Sequence, residues 1–188
     1  MRHLLFALLS APAVALAQDH KNAEPVPNQV KWTSIEDAQA AAKKDGHPLL
    51  IDFNTPWCGW CRKMESTTFN DPYTAKYINE HFHPVSFNAE GPDPVTFNGR
   101  KFENPQYNAD GPRHGTHQLT MYLAAVNGQL GYPTIAYVDS EGNLIQPISS
   151  YFTPEQIEPI LSFFGTGAYK NTKWPDFSSA FKSKRGAH

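Results

Sequence analysis

Pro48-Leu49-Leu50-Ile51-Asp52-Phe53-Asn54-Thr55-Pro56-Trp57-Cys58-Gly59-Trp60-Cys61-Arg62-Lys63 places a short apolar run directly before two cysteines three residues apart. The run from Pro48 to Asn54 carries branched residues and suggests a strand buried on both faces. Its single acidic residue, Asp52, is conspicuous there. A helix read from Cys58 to about Phe69 follows, so the Cys58 sulfur lies near backbone N–H groups that have no partner within the helix. Such a position favours thiolate. Lowering a cysteine pKa from about 8.5 to about 7 raises the thiolate fraction at neutral pH from roughly 3% to roughly 50%, a stabilisation of about 2 kcal/mol. Cys58 is then the attacking sulfur. Cys61, one turn further in and expected to be the more buried, keeps its proton longer and resolves the mixed disulfide between Cys58 and a substrate.

Chemistry explains this pair better than stability does. The chain has two cysteines in all, and a bridge between residues so close constrains the unfolded chain very little. Two cysteines placed at random take this spacing about one time in a hundred, which points to a redox or metal role. Metal ligation is the rival: a zinc or copper site would use the CxxC pair with a second ligand pair, His114/His117 or His81/His83. Nothing in the spacing demands it. Covalent haem attachment is excluded because Arg62 stands where C-x-x-C-H needs histidine. The expectation is therefore no metal and no cofactor beyond the redox-active Cys58-Cys61 pair.

At the N-terminus, Arg2 is followed by a largely apolar run from Leu4 to Ala17 that ends in Ala15-Leu16-Ala17. That order reads residues 1–17 as a cleavable secretory signal. The run is too short for a spanning helix, is interrupted by Ser10 and Pro12, and has no longer counterpart further on, so the mature protein is expected not to span a membrane. Residues 18–29, polar and carrying Pro25 and Pro27, read as a flexible lead-in. Cleavage after Ala17 removes only Arg2 among the charged residues, leaving 15 basic against 18 acidic and a formal balance of −3. That sign disfavours nucleic-acid partners. One domain over 30–169 is expected, with 170–188 as a C-terminal tail in which Trp174 and Phe177 can pack back before a loose basic end.

The remaining elements follow from local signals. Thr33 and Glu36 of Thr33-Ser34-Ile35-Glu36 read as a capping box and Lys43, Lys44 and Gly46 as end signals, bracketing a helix over about 34–45. Asn70-Asp71-Pro72 caps another, with Tyr73, Tyr77, Ile78 and Phe82 near one face. Pro84 to Ala89 reads as a strand. Residues from about 91 to 115, rich in Gly, Pro and Asn, form an insertion containing a small hairpin around Asn98-Gly99. Leu119, Tyr122, Leu123 and Val126 predict an amphipathic helix reaching about Gly128. Thr134–Val138 and Leu144–Ile148 flank a polar turn as an antiparallel hairpin. Thr153-Pro154-Glu155-Gln156 opens a last helix through Phe164. With a short first strand at Val30–Trp32, this order describes an α/β mixed sheet covered on both faces.

Three separated features give the chain a resemblance to the thioredoxin superfamily, spanning about Val30 to Phe164. They are Trp57-Cys58-Gly59-Trp60-Cys61, Asp52 in the preceding strand, and Gly131-Tyr132-Pro133-Thr134. The chain is most similar to exported thioredoxin-like proteins carrying Trp-Cys-Gly-Trp-Cys followed by basic residues, here Arg62-Lys63. The resemblance implies a thioredoxin fold with an insertion before its third core helix, and thiol:disulfide oxidoreductase activity on protein thiols and disulfides in the bacterial periplasm. It implies that Asp52 exchanges a proton during turnover of the second cysteine, and that Pro133 is a cis-proline facing the site and presenting the Tyr132 backbone to a substrate strand. It also suggests a membrane thiol transporter as electron donor. Trp57, Gly59, Trp60, Tyr132 and Pro133 form the expected substrate contact surface. Trp60 replaces the proline of typical thioredoxins, so the direction of electron flow stays open. For Asp52 the structural alternative is a strand-end carboxylate paired with Lys63 or another base. His114 and His117 read as surface or capping residues before the helix that follows the insertion.

Overall fold

The computed structural model describes residues 29–186. The expected signal at 1–17, and the lead-in apart from Gln29, lie outside the described residues. Strand β1 (Leu49–Asn54) is buried along nearly its whole length. It pairs in parallel with β2 (His83–Asn88) and antiparallel with β5 (Thr134–Val138), which pairs in turn with β6 (Leu144–Ser149), giving the order β2-β1-β5-β6. A separate hairpin, β3 (Val95–Phe97) with β4 (Arg100–Phe102), lies in the insertion. Its turn sets Asn98 and Gly99 at φ of 50° and 72°, the left-handed conformation that an Asn-Gly pair tolerates. The β1/β5 register places Phe53 opposite Thr134. The loops that follow Asn54 and precede Thr134 therefore share one end of the sheet.

Helices cover both faces, and local chemistry fixes their ends. Helix α1 (Ile35–Asp45) starts where Ser34 Oγ accepts the Asp37 N–H and stops at Gly46, whose φ of 81° turns its N–H back onto Ala42 O. Helix α2 (Gly59–Met64) continues into a π-helical turn over Glu65–Phe69. Helix α3 (Pro72–His81) is capped by Asp71, α4 (Gln118–Leu123) by His117, and α5 (Pro154–Gly165) by a complete capping box of Thr153 and Gln156. Alternation along the strands builds two cores. Leu49, Ile51, Phe53, Ala136 and Val138 pack with α1 and α4, while Leu50, Ile135 and Tyr137 pack with α2, α3 and α5. Asp52 falls on the second of these faces.

Three expectations are corrected. Val30–Trp32 is not a strand: the Lys31 N–H goes to Asn79 Oδ1 and the Thr33 N–H to Pro84 O, so the segment is tied down without a ladder. Helix α4 ends at Leu123 instead of near Gly128, because Asn127 and Gly128 both take positive φ in a turn closed by Val126 and Gln129. Only Leu119 and Leu123 of its predicted stripe are buried; Tyr122 leans outward over Phe102 of the hairpin, and Val126 is exposed. The basic end is not loose. After α6 (Trp174–Ala180), whose Trp174 and Phe177 pack on Phe163, the Lys184 N–H and Ser183 hydroxyl donate to Glu158 and Arg185 donates to Asp71 Oδ1 at 2.7 Å.

Both border strands carry a proline, Pro84 in β2 and Pro147 in β6. The outer side of Pro84 is further occupied by Thr33, which donates both its N–H and its hydroxyl to the Pro84 carbonyl. No helix among the described residues is long and apolar enough to cross a membrane.

Candidate active site

Cys58 is the N-cap of α2: its backbone is extended (φ −73°, ψ 105°) and its Sγ accepts the Cys61 N–H at 3.0 Å. The strand-to-helix turn thus brings the sulfur onto an otherwise unpaired amide, as expected for a residue opening a helix. Cys58 and Cys61 are joined in a disulfide with S–S 2.08 Å. Cys61 is not the more buried of the two, at 7% exposure against 4% for Cys58. The reason is a cavity of about 170 Å³ behind the helix that Cys61 helps to line, together with Trp32, Asp52, Arg62 and Glu65.

Asp52 enters this cavity from β1. Its Oδ2 accepts from Asn54 Nδ2 at 3.0 Å, while its Oδ1, buried, has no partner. Burial pushes its carboxyl up to about 7; the Asn54 bond opposes the rise and the like charge of Glu65 adds to it. The alternative of a carboxylate paired with Lys63 does not hold. The Lys63 ammonium instead lies over the rings of Trp60 and Tyr151, 5.0 and 5.2 Å from their centroids, and no base lies within salt-bridge distance of Asp52 among the described residues. The cavity has room for several waters between Asp52 and Cys61.

The two tryptophans flank the disulfide and are exposed, Trp57 by 39% and Trp60 by 57%. Trp60 packs on Tyr151 with centroids 5.4 Å apart. Trp57 meets Tyr132 edge-on at 5.8 Å, which joins the cysteine loop to the loop before β5. The Tyr132–Pro133 bond is cis. A Cβ on Gly131 would stand 2.5 Å from Ser149 Oγ, so the serine hydroxyl would have to turn aside. Gly59 is different: a Cβ would meet only the end of Arg62 at 3.9 Å, so packing does not demand glycine.

Sequence reasoning missed Glu90 and Arg113. Glu90, just past β2, is buried and accepts both the Trp57 indole N–H at 3.0 Å and the His114 backbone N–H at 3.2 Å. Arg113 lies across the Trp57 ring with its guanidinium 3.5 Å from the centroid. The end of the insertion is thereby fastened to the residue before Cys58. A lone carboxylate between Ala89 and Gly91 was the available signal, and it has no local partner to announce it.

Neither histidine pair joins the sulfurs, which are bonded to each other. His117 is wholly buried, caps α4 through Nδ1 at 3.1 Å from Leu119 N, and is held toward its neutral form by burial. His114 Nδ1 bonds Asn108 O at 2.7 Å. His81 stacks on Tyr77. His83 bonds Asp45, and these two with His47 gather three donor atoms within 4.8 Å of one another, at the end of the sheet opposite the cysteines.

The sequence model of the thioredoxin-like domain matches residues 35–165. Among curated proteins, the chain is 32% identical over 89 residues to the thiol:disulfide interchange protein DsbD of Salmonella choleraesuis, covering 43% of this chain and 16% of that one. It is 24% identical over 155 residues to DsbD of Pectobacterium atrosepticum, covering 81% of this chain and 22% of that one. The chain thus spans about a fifth of the length of these relatives. Among solved structures, a thioredoxin from Thermus thermophilus superposes with a TM-score of 0.52 at 14% identity, covering 82% of this chain and 99% of that one. A thioredoxin-fold protein from Helicobacter pylori gives 0.50 at 20% identity, covering 71% and 78%. A sheet of order β2-β1-β5-β6 sheathed by helices, with a CxxC pair at the strand-to-helix turn and the matched model running over most of the described residues, places the chain in the family of thioredoxin-like domains.

Proposed function

We propose that the protein is a thiol:disulfide oxidoreductase that exchanges disulfides with other proteins outside the cytoplasm, in the bacterial periplasm. The observation that carries this reading is the Cys58–Cys61 disulfide at the cap of α2, with a buried carboxyl and a cavity behind it and two exposed tryptophans in front. In the reduced protein the Cys58 thiolate, held by the Cys61 amide, attacks one sulfur of a substrate disulfide. A mixed disulfide forms and the other substrate sulfur leaves as thiolate. Cys61 then gives its proton to Asp52 across the cavity and attacks Cys58 Sγ. The Cys58–Cys61 bond forms, the second substrate sulfur departs, and two electrons have passed to the substrate. Run backwards, the same steps oxidise a dithiol.

Asp52 suits this task because a carboxyl that titrates near 7 takes and returns a proton at neutral pH. Trp57, Gly59, Trp60, Tyr132 and Pro133 form the surface on which an extended polypeptide lies. The names of the DsbD relatives support thiol:disulfide interchange chemistry; the electron donor that goes with this reading is a membrane thiol transporter. Residues 1–17 support export. The test is direct: Cys58→Ser abolishes turnover of dithiol or disulfide substrates, and Cys61→Ser accumulates mixed disulfides. Full activity of Cys58→Ser rejects the proposal. Elemental analysis addresses the zinc or copper alternative, which requires stoichiometric metal lost on mutating either cysteine. Equilibration against glutathione assigns the direction of electron flow.

A further inference from the structure

Both tryptophans beside the disulfide carry a cation on their exposed rings. Arg113 lies over Trp57 at 3.5 Å, and Lys63 over Trp60 and Tyr151 at 5.0 and 5.2 Å. Arg62 completes the group by folding its guanidinium onto Pro56 O, at 2.6 Å, on the loop that leads into Cys58. Among the described residues neither Arg62 nor Lys63 has a carboxylate within 4.0 Å. Of the acidic groups of the region, Asp52 and Glu90 are buried, while Glu65, in the turn that follows α2, is exposed but pairs with neither Arg62 nor Lys63, so the cations outnumber the exposed carboxylate beside them. The outer face of the site is therefore positive in a chain whose formal charge is −2.

This arrangement is built and held. Arg113 belongs to the insertion, far from Trp57 in sequence, and reaches the ring because Glu90 grips the neighbouring His114 backbone and the indole together while standing 3.9 Å from the guanidinium. Cations laid flat on aromatic faces lose little of their charge to the ring and remain available to a carboxylate above them. The rings offer apolar contact to a polypeptide, and the cations offer it a sign.

We propose that the preferred substrate of this site is an acidic polypeptide segment, with Asp or Glu flanking the cysteine that exchanges with Cys58, and that the insertion serves to bring Arg113 to that surface. The proposal rests on the oxidoreductase reading above. Lys63 and Arg113 meet the flanking carboxylates from the two sides of Cys58, while Trp57 and Trp60 bear the backbone between them.

The experiment measures kcat/KM of the full mature protein on three disulfides at low ionic strength: two cystine peptides identical except for Glu or Lys on either side of the disulfide, and the uncharged bis(2-hydroxyethyl) disulfide. The Glu peptide is expected to exceed the Lys peptide by about tenfold, with the gap closing as salt shortens the range of the field. The double variant Lys63→Glu/Arg113→Glu, changed only at exposed positions, reverses the order. Equal kcat/KM for the two peptides, alongside turnover of all three disulfides, overturns this inference and leaves the oxidoreductase reading standing. An order unchanged in the double variant also overturns it. Absence of exchange with any of the three sinks the reading beneath as well.

Discussion

Replacing Asp52 by asparagine removes a charge from the interior while keeping shape and the acceptor for Asn54. Its carboxyl titrates at about 7 in the folded protein against 3.8 in an open chain. Between those values the folded state binds more protons than the unfolded one, so stability falls as pH rises through that window. Integrating the difference, the carboxylate costs about 1 kcal/mol at pH 4.5, about 3 at pH 6 and about 4 at pH 8. These are upper figures, because the adjoining cavity lets the charged form hydrate. Urea unfolding of the oxidised protein at a series of pH values measures the effect, with Asp52→Asn as the reference that cancels every other titrating group. The variant is expected to be more stable at pH 8, and the two curves to converge toward pH 4.5. The same substitution should slow resolution of mixed disulfides, since the proton acceptor for Cys61 is gone. Parallel stability curves would refute the reasoning: the carboxylate would then be solvated as well in the fold as outside it.

Two further substitutions probe the ties around the site and the tail. Glu90→Ala leaves the Trp57 indole and the His114 amide without an acceptor and should cost about 2 kcal/mol, with a shift of tryptophan emission; Glu90→Gln, whose amide oxygen still accepts, should cost less. Arg185→Ala removes the cation from beside Asp71 and the buried Glu158, which keeps its Ser183 and Lys184 donors, and should cost about 2 kcal/mol, with faster proteolysis beyond Phe181. Burial alone would raise the Asp71 carboxyl, but Arg185 and the Thr74 N–H and hydroxyl hold it below its usual range. The folded pKa is the lower one, so this contribution is present above the ordinary carboxylate range and lost as pH falls beneath it. In Arg185→Ala that acid-sensitive part should shrink, as a pH series of melting temperatures would show.

What could be read from the sequence was what short-range chemistry determines. Asp71 and Thr153 announce their helices because a cap is decided within four residues, although at α1 the cap is Ser34, one residue after the Thr33 that the capping-box pattern selects, and the β1 run is apolar because both its faces are covered. The CxxC pair and Asp52 were legible for the same reason, their spacing being local. The failures are non-local. Tyr122 has core-like spacing, yet its neighbour is Phe102 in the insertion, so periodicity gave it the wrong face. Arg185 looked like a loose end because its partner, Asp71, is 114 residues away. Glu90 and Arg113 act on Trp57 from across the fold, and no pattern along the chain links them.

The prolines in the border strands set a limit on how these molecules meet. A second copy laid against β2 finds one amide missing at Pro84 and the carbonyl there already claimed by Thr33; a copy against β6 finds a gap at Pro147. Fibre growth by continuous backbone pairing has no intact row to start from on either side. Crowding in a confined space therefore does not extend the four-stranded sheet from molecule to molecule.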